Sequence, residues 1–383
     1  MSTHHDEAVI LRPVDEVAKF LKNLIPPDIP GTFALKPVLK KISGEENIRN
    51  GVAAFRNFLN IFCDRLISDG QSWVKPPKIP AGIAQYPFIN NITNLLMEIG
   101  YYGKLSKDGH SLLITELPSC IVSAGRNGNR NNAKISSSDL NLCLKFLSLC
   151  GFVFNGSGIE AKTYMVSGKQ LPDVSFPMNV SYPDDPVLPV GLKALSVAEA
   201  ELRETRRFRN DINFLRCDYR PMIAGEMDML DVLRDFLHPL PVKIQKTAIK
   251  LHQRYIDMGM TCVMTIPGEV NLSYSYIENS RRAMSVKDIY YLRIWEFSCS
   301  LRFGYCLVIR AKKTDKYADV IKKFPLSMQK LIERGYGCDR KLRNERCQHG
   351  CHGFRIPLDD SILKISDCIE QWLDNEVSFY IPR

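Results

Sequence analysis

The sequence predicts an α+β protein. Its N-terminal half should be mainly helical, and its C-terminal part an antiparallel sheet packed with helices. Three observations point there. Apolar residues step by three and four through two long N-terminal segments. Two later segments each read as a helix, a glycine and a two-stranded hairpin. Beyond residue 260, strand-like runs are joined by turns too short for parallel crossovers, so the strands must be antiparallel.

Taken in order, helices are expected at Val14–Leu24 and at 48–67. In the second, Val52, Phe55, Leu59, Phe62 and Leu66 form the stripe and Gly70 reads as a stop. Pro76, Pro77 and Pro80 then suggest an extended link. Residues 1–80 thus make an N-terminal helical segment.

Residues 81–175 hold the two similar units. The first runs through Ile92–Ile99, then Gly100 as helix cap, then a hairpin turning at Asp108-Gly109. The second runs through Leu140–Cys150, then Gly151, then a Gly156-Ser157-Gly158 turn and a returning strand at 162–166. Ser136, Ser137, Ser138 and Asp139 supply capping chemistry for its helix. Residues 176–215 read as a proline-rich linker (Pro177, Pro183, Pro186, Pro189) with a charged, solvated helix at 197–209.

Residues 216–383 read as one α+β domain. Ile244, Ala248, Leu251, Tyr255 and Met258 mark a helix opened by Pro241 and closed by Gly259. Strands are expected at 261–266, 271–277, 290–297 and 305–311, and helices at 315–323, 326–334 and 361–375. The last carries Ile362, Ile365, Ile369 and Trp372 on one stripe.

Composition excludes several classes. Of 383 residues, 45% are hydrophobic and 24% charged, which argues against wholesale disorder. Twelve cysteines are too sparse for a disulfide scaffold. The start, Met1 to Glu7, lacks a signal-peptide pattern, and no apolar run approaches a membrane span. A cytoplasmic protein with reduced thiols and no membrane partner is expected. Cys143, Cys150, Cys262 and Cys306 then read as small core residues.

A helix followed directly by a two-stranded ribbon is how a winged-helix module ends. Over Ala84–Gly168 the chain resembles winged-helix DNA-binding modules, twice over. That resemblance implies DNA as a partner. Wings and adjacent loops commonly touch phosphates, so the basic loop between the units, with Arg126, Arg130 and Lys134, becomes the nucleic-acid candidate.

Residues 338–353 concentrate three cysteines and two histidines, with Leu342 as the one large aliphatic residue. Such a stretch buries too little apolar area to offset the entropy of ordering it. A structural zinc ion would staple it. Three thiolates and one imidazole make a common tetrahedral set, here Cys338, Cys347, Cys351 and His352, with His349 as the other choice for the fourth ligand. A reduced loop without metal and a redox role stand beside this reading. Four protein ligands leave no open position, so the ion would be structural rather than catalytic.

The net charge is +9, and it is uneven. Arg310 to Arg355 holds thirteen basic and five acidic residues, whereas the residues after it are net acidic. A solvated surface is the preferred reading, a phosphate-binding surface the other. No phosphate-binding glycine loop, zinc-protease motif or nucleophile elbow occurs. Aromatics between 274 and 305 suggest sheet packing, or a pocket with Arg293, Glu296 and Arg310 as polar contacts.

The expected function is therefore a non-enzymatic DNA-binding regulator or adaptor, with a C-terminal domain for ligand sensing or assembly. An enzyme sited in that domain and a protein–protein interaction protein are the alternatives.

Overall fold

The computed structural model describes residues 12–76, 86–115, 137–156, 177–205, 214–225, 228–265, 271–275, 292–300, 304–311, 318–334, 354–357, 364 and 366–378. The protein mixes helices with antiparallel sheet and divides into two compact units, Met1–Glu226 and Met227–Arg383.

The first unit opens with α1 (Val14–Leu24), α2 (Pro37–Lys40) and the long α3 (Glu45–Trp73). Asp15 and Glu16 in the first turn of α1 and Lys22 in its last complement the helix dipole. The apolar stripe of α3 is buried as its spacing predicts: Val52, Phe55, Leu59, Phe62 and Leu66 are all closed to solvent, as are Ile48 and Phe58. Burying each such aromatic side chain contributes about 1.5–3 kcal/mol. Gly70 does not stop α3. The helix continues to Trp73, and Gly70 instead lets Val14 of α1 approach, since a methyl there would meet its Cγ1 at 2.9 Å.

Next come α4 (Pro87–Tyr102), β1 (Lys104–Leu105), β2 (Ser111–Ile114), α5 (Ser137–Leu149), β3 (Val153–Gly156), β4 (Met178–Ser181) and α6 (Leu188–Thr205). Among the described elements a helix followed by two strands occurs twice, although the second pair is not the expected hairpin. Gly109 takes a φ of +79° at the first hairpin turn, a conformation glycine adopts without penalty. The two hairpins do not stay separate. Their second strands pair with each other, giving one antiparallel sheet in the order β1-β2-β4-β3, with an approximate two-fold relation between its halves.

Two expectations are corrected here, and a third falls outside the described residues. Gly100 is no cap: α4 runs past it to Tyr102, and the bare Cα lets α6 pack against it, with Leu192 O within 2.6 Å of where a methyl would stand. The strand returning from β3 is 178–181, whereas the expected 162–166 lies outside the described residues. The stretch expected as a proline-rich linker supplies β4 and α6. Pro189 sits in the first turn of α6, where a missing N–H costs nothing. The N-terminal part of α6 is core, with Leu188, Val190, Leu192, Ala194, Leu195 and Ala198 buried; residues 206–209 lie outside the described residues.

The core of this unit lies where α3 meets α6 and the sheet. Phe58 makes edge contacts with Phe152 and Tyr182, and Phe146 of α5 meets Phe62, Trp73 and Phe88. Helices α3 and α6 touch backbone to backbone at Gly51 and Gly191. A methyl on Gly51 would lie 2.7 Å from Val187 O, and one on Gly191 would overlap the Gly51 carbonyl. Residues 214–225 close the unit, rather than opening the next. Leu35 and Ile223 form an isolated bridge, and the buried Cys217 thiol donates to Val52 O at 3.5 Å.

The second unit holds α7 (Met229–Leu237), α8 (Val242–Asp257), β5 (Thr261–Thr265), β6 (Asn271–Ser275), β7 (Leu292–Ser300), β8 (Gly304–Ala311), α9 (Ala318–Ile321), α10 (Leu326–Arg334), β9 (Phe354–Pro357) and α11 (Ser366–Ser378). Its five strands pair in sequence order, all antiparallel, as the short turns require. Helix α8 starts after Pro241, buries Ile244, Ala248, Leu251 and Tyr255, and is followed by Gly259 at φ +81°. Met258, expected on the buried stripe, is exposed just beyond the helix end. The expected helix at 315–323 is reduced to α9, and the last helix begins at Ser366. Ile369 and Trp372 are buried as expected; Ile362 and Ile365 lie outside the described residues. Arg254 Nε donates to Asp374 Oδ1 at 2.9 Å and Lys250 to Glu370 at 2.6 Å, tying α11 to α8.

Among the described residues, no helix is long and apolar enough to cross a membrane.

Candidate nucleic-acid interface

The register of the four-stranded sheet fixes where its long connections leave. Met178 is the Cα partner of Ile114 on one side and of Gly156 on the other. The last residue of β2, the last of β3 and the first of β4 therefore stand side by side at one end. Residues 115–136, which carry Arg126, Arg130 and Lys134, depart from Ile114. Residues 157–177 depart from Gly156 and return to Met178 beside it. Arg126, Arg130 and Lys134 themselves lie outside the described residues, so what the structure gives is the point from which their segment springs.

The C-terminus of α4 reaches the same region, because Lys104 pairs with Leu113, one residue before Ile114. Three contacts fix this helix end. Gly103 N donates to Ile99 O at 2.9 Å. The Lys193 ammonium, on α6, donates to the carbonyls of Gly103 at 2.8 Å, Tyr101 at 3.2 Å and Gly100 at 3.4 Å. A cation over unpaired terminal carbonyls is the favourable sign for the helix dipole. Burial holds the Lys193 amine somewhat below its ordinary value. Beyond these caps Tyr101 and Tyr102 stand exposed, at 42% and 55%, with rings 5.0 Å apart and nearly perpendicular.

The hairpin that follows presents Lys104, Lys107 and His110 to solvent. Its turn is locked by Asp108, whose Oδ1 accepts from Ser106 Oγ at 2.6 Å and from His110 N at 3.0 Å. Those bonds, the Ser106 one foremost, hold the Asp108 carboxyl below its usual range.

A second concentration of charge lies inside the unit. Arg216, Asp218 and Arg220 are buried within five residues, and Arg220 Nε donates to Asp218 Oδ1 at 2.6 Å. Burial pushes the Asp218 carboxyl up, but the Arg220 and Arg216 charges and the Arg220 hydrogen bonds outweigh it, leaving it below its ordinary value. Cys217 between them has a φ of +53°, rare for a residue with a side chain. The strained residue and the ion pair together seat this segment on α3. At 2% exposure, Arg220 serves the fold rather than a solute.

Five of the twelve cysteines are buried, Cys368 is half-buried, and the side chain of Cys306, expected in the core, lies outside the described residues. Cys143, Cys150 and Cys262 are buried, as expected of packing residues, and so are Cys63 and Cys217. Burial pushes the Cys63 and Cys150 thiols up to about 12, which keeps them protonated and inert. Cys338, Cys347, Cys351, His349 and His352 lie outside the described residues, in the segment between α10 and β9. No group of three or more metal-ligating side chains occurs among the described residues.

In the second unit the register puts two of the three expected polar residues on one face of the sheet, because Arg310 lies two residues beyond Val308, the partner of Glu296. Arg310 stands directly opposite Arg355 on β9, and Glu296 opposite Val308. Arg293 falls at the bulge between Leu292 and Trp295, where strand alternation does not place it with either. His252 is buried on α8, and burial lowers its pKa more than nearby Asp228 raises it.

Sequence reasoning passed over Tyr101, Tyr102 and Lys193. No local pattern marks the tyrosines, since the residues just before them, Ile92 to Gly100, are all buried. The role of Lys193 depends on the α4–α6 packing, which no local pattern announces. Comparison with protein-family models, curated proteins and solved structures finds no match for this chain.

Proposed function

We propose that this chain is a non-enzymatic nucleic-acid-binding regulator or adaptor that grips the phosphate backbone from the open end of its four-stranded sheet. One observation carries the reading: the register Ile114–Met178–Gly156 sends the Arg126–Lys134 segment out from the same end as the second long connection, beside exposed Lys104. A basic segment tethered at one end of a sheet suits backbone contacts, which position a protein without reading bases. The twice-repeated helix–strand–strand order supports the resemblance to winged-helix modules, although the shared sheet departs from two independent wings. The second unit is assigned assembly or ligand sensing.

The test measures binding of the full chain to random duplex DNA across a salt series, for the wild type and for a variant with Arg126, Arg130 and Lys134 changed to Gln. Each lost phosphate contact lowers the slope of log K against log salt by about 0.9, so a drop of roughly 2–3 is expected. Equal slopes for the two proteins, or no binding at low salt, would overturn the reading.

Residues 338–353 are proposed to be held by structural zinc through Cys338, Cys347, Cys351 and His352. Untagged protein should then carry about one zinc per chain. Elemental analysis that finds less than about a fifth of that removes the metal.

A further inference from the structure

We propose that Tyr101 and Tyr102 form a stacking platform for unpaired bases, so that the preferred ligand is a single-stranded nucleic acid. This rests on the reading above and names its substrate class.

The pair is unusual for its place. The helix that carries it is buried continuously from Ile92 to Gly100, and then exposes two large rings in succession. Polar side chains would sit there at no cost in exposed apolar area. The backbone that carries the rings is held in place. Lys193 closes the carbonyls beneath them, and Gly100 packs closely on α6 at Leu192 and Ser196. A platform fixed before binding loses little conformational freedom when a ligand arrives.

The surroundings favour a polyanion. Lys104 follows two residues later, and Lys107 is exposed on the adjoining hairpin. Of the acids near in sequence, Glu98 is buried, and the Asp108 carboxylate is engaged by Ser106 and His110 within its own turn. Exposed aromatic rings beside basic residues are how single strands are held, because every base offers a π-face and phosphates run alongside. Bases in a duplex are already stacked on one another, so these rings can serve only unpaired ones.

The experiment titrates the full chain with oligo(dT), oligo(rU) and a duplex of equal length across a salt series. The proteins are the wild type, Y101A/Y102A, Y101F/Y102F and K104Q. Stacking on aromatics is a non-ionic contribution, so Y101A/Y102A should bind single strands about tenfold or more weakly at every salt, with an unchanged slope. Y101F/Y102F should keep wild-type affinity. K104Q should instead lower the slope by about 0.7. Both tyrosines are exposed, so unchanged circular dichroism is expected and separates lost contact from lost fold. Wild-type affinity in Y101A/Y102A, or failure of Phe to retain binding, overturns the proposal. Binding to duplex alone overturns it while leaving the phosphate-gripping reading intact, and binding to no nucleic acid removes both. Stronger binding of oligo(rU) or of oligo(dT) assigns the strand to RNA or DNA, and either result supports the platform.

Discussion

The two sheets of this protein solve the same packing problem with opposite connectivity. In the second unit each strand pairs with its neighbour in sequence, from β5 to β9. In the first unit the central pair is β2 with β4, and the whole of α5 and β3 lies between them in the chain. The difference teaches where specificity resides. A meander is set by its turns. A sheet joined across a pseudo-two-fold axis must be set by the elements packed beneath it, here α3 and α6 meeting at paired glycines.

That contrast can be broken most severely at Gly191. A methyl there would overlap the Gly51 carbonyl, and backbone cannot step aside as a side chain can. Gly191→Ala should destabilise the first unit by about 3 kcal/mol, at the upper end of overpacking costs. Hydrogen exchange should show lost protection in α3 and α6 with α8 unaffected. Equal loss in both units would mean that they do not hold their stability separately.

A smaller test uses pH, because the two units bury groups that titrate far apart. His252 in the second unit is held below its ordinary value by burial. The unfolded chain therefore takes up a proton that the folded one resists, and stability falls as pH drops below about 6.5. Asp218 in the first unit also lies below its ordinary value, through Arg220 and Arg216 acting against burial. Its contribution is present above about pH 4 and is lost only as pH falls through the lower folded value. Protection of α8 should thus weaken at mild acidity, while that of α3 persists to stronger acid. His252→Gln should abolish the early loss. Identical pH curves for His252→Gln and wild type would refute the assignment.

The legibility of the sequence follows the same division. Helix α1 and helix α10 are legible to their bounds, and four of the five strands of the meander to within a few residues, because caps, stripes and short turns are local; β9 is not. The pairing of β3 with β4 was not legible because the two strands stand more than twenty residues apart; the expected returning strand at 162–166 lies outside the described residues. Pro183, Pro186 and Pro189 look like a linker in sequence, yet Pro189 enters the first turn of a core helix. Gly70 and Gly100 read as stops in the sequence because a glycine at a helix–helix crossing and a glycine at a helix end look alike until the partner helix is known. Of the candidate interface, the basic residues were legible from composition, whereas the sheet end that launches them required the β2–β4 register.

The β2–β4 pairing also orders events during synthesis. The first hairpin leaves the ribosome with a two-residue outer strand and an inner strand lacking its long-range partner. The buried face of α3 likewise emerges well before α6, the helix it must meet. The first must wait for roughly sixty further residues and the second for more than a hundred, which at about 5–20 residues per second leaves apolar surface uncovered for several seconds or more. The nascent first unit is therefore a natural client for a chaperone, and the meander that follows, built from near neighbours, has far less need of one.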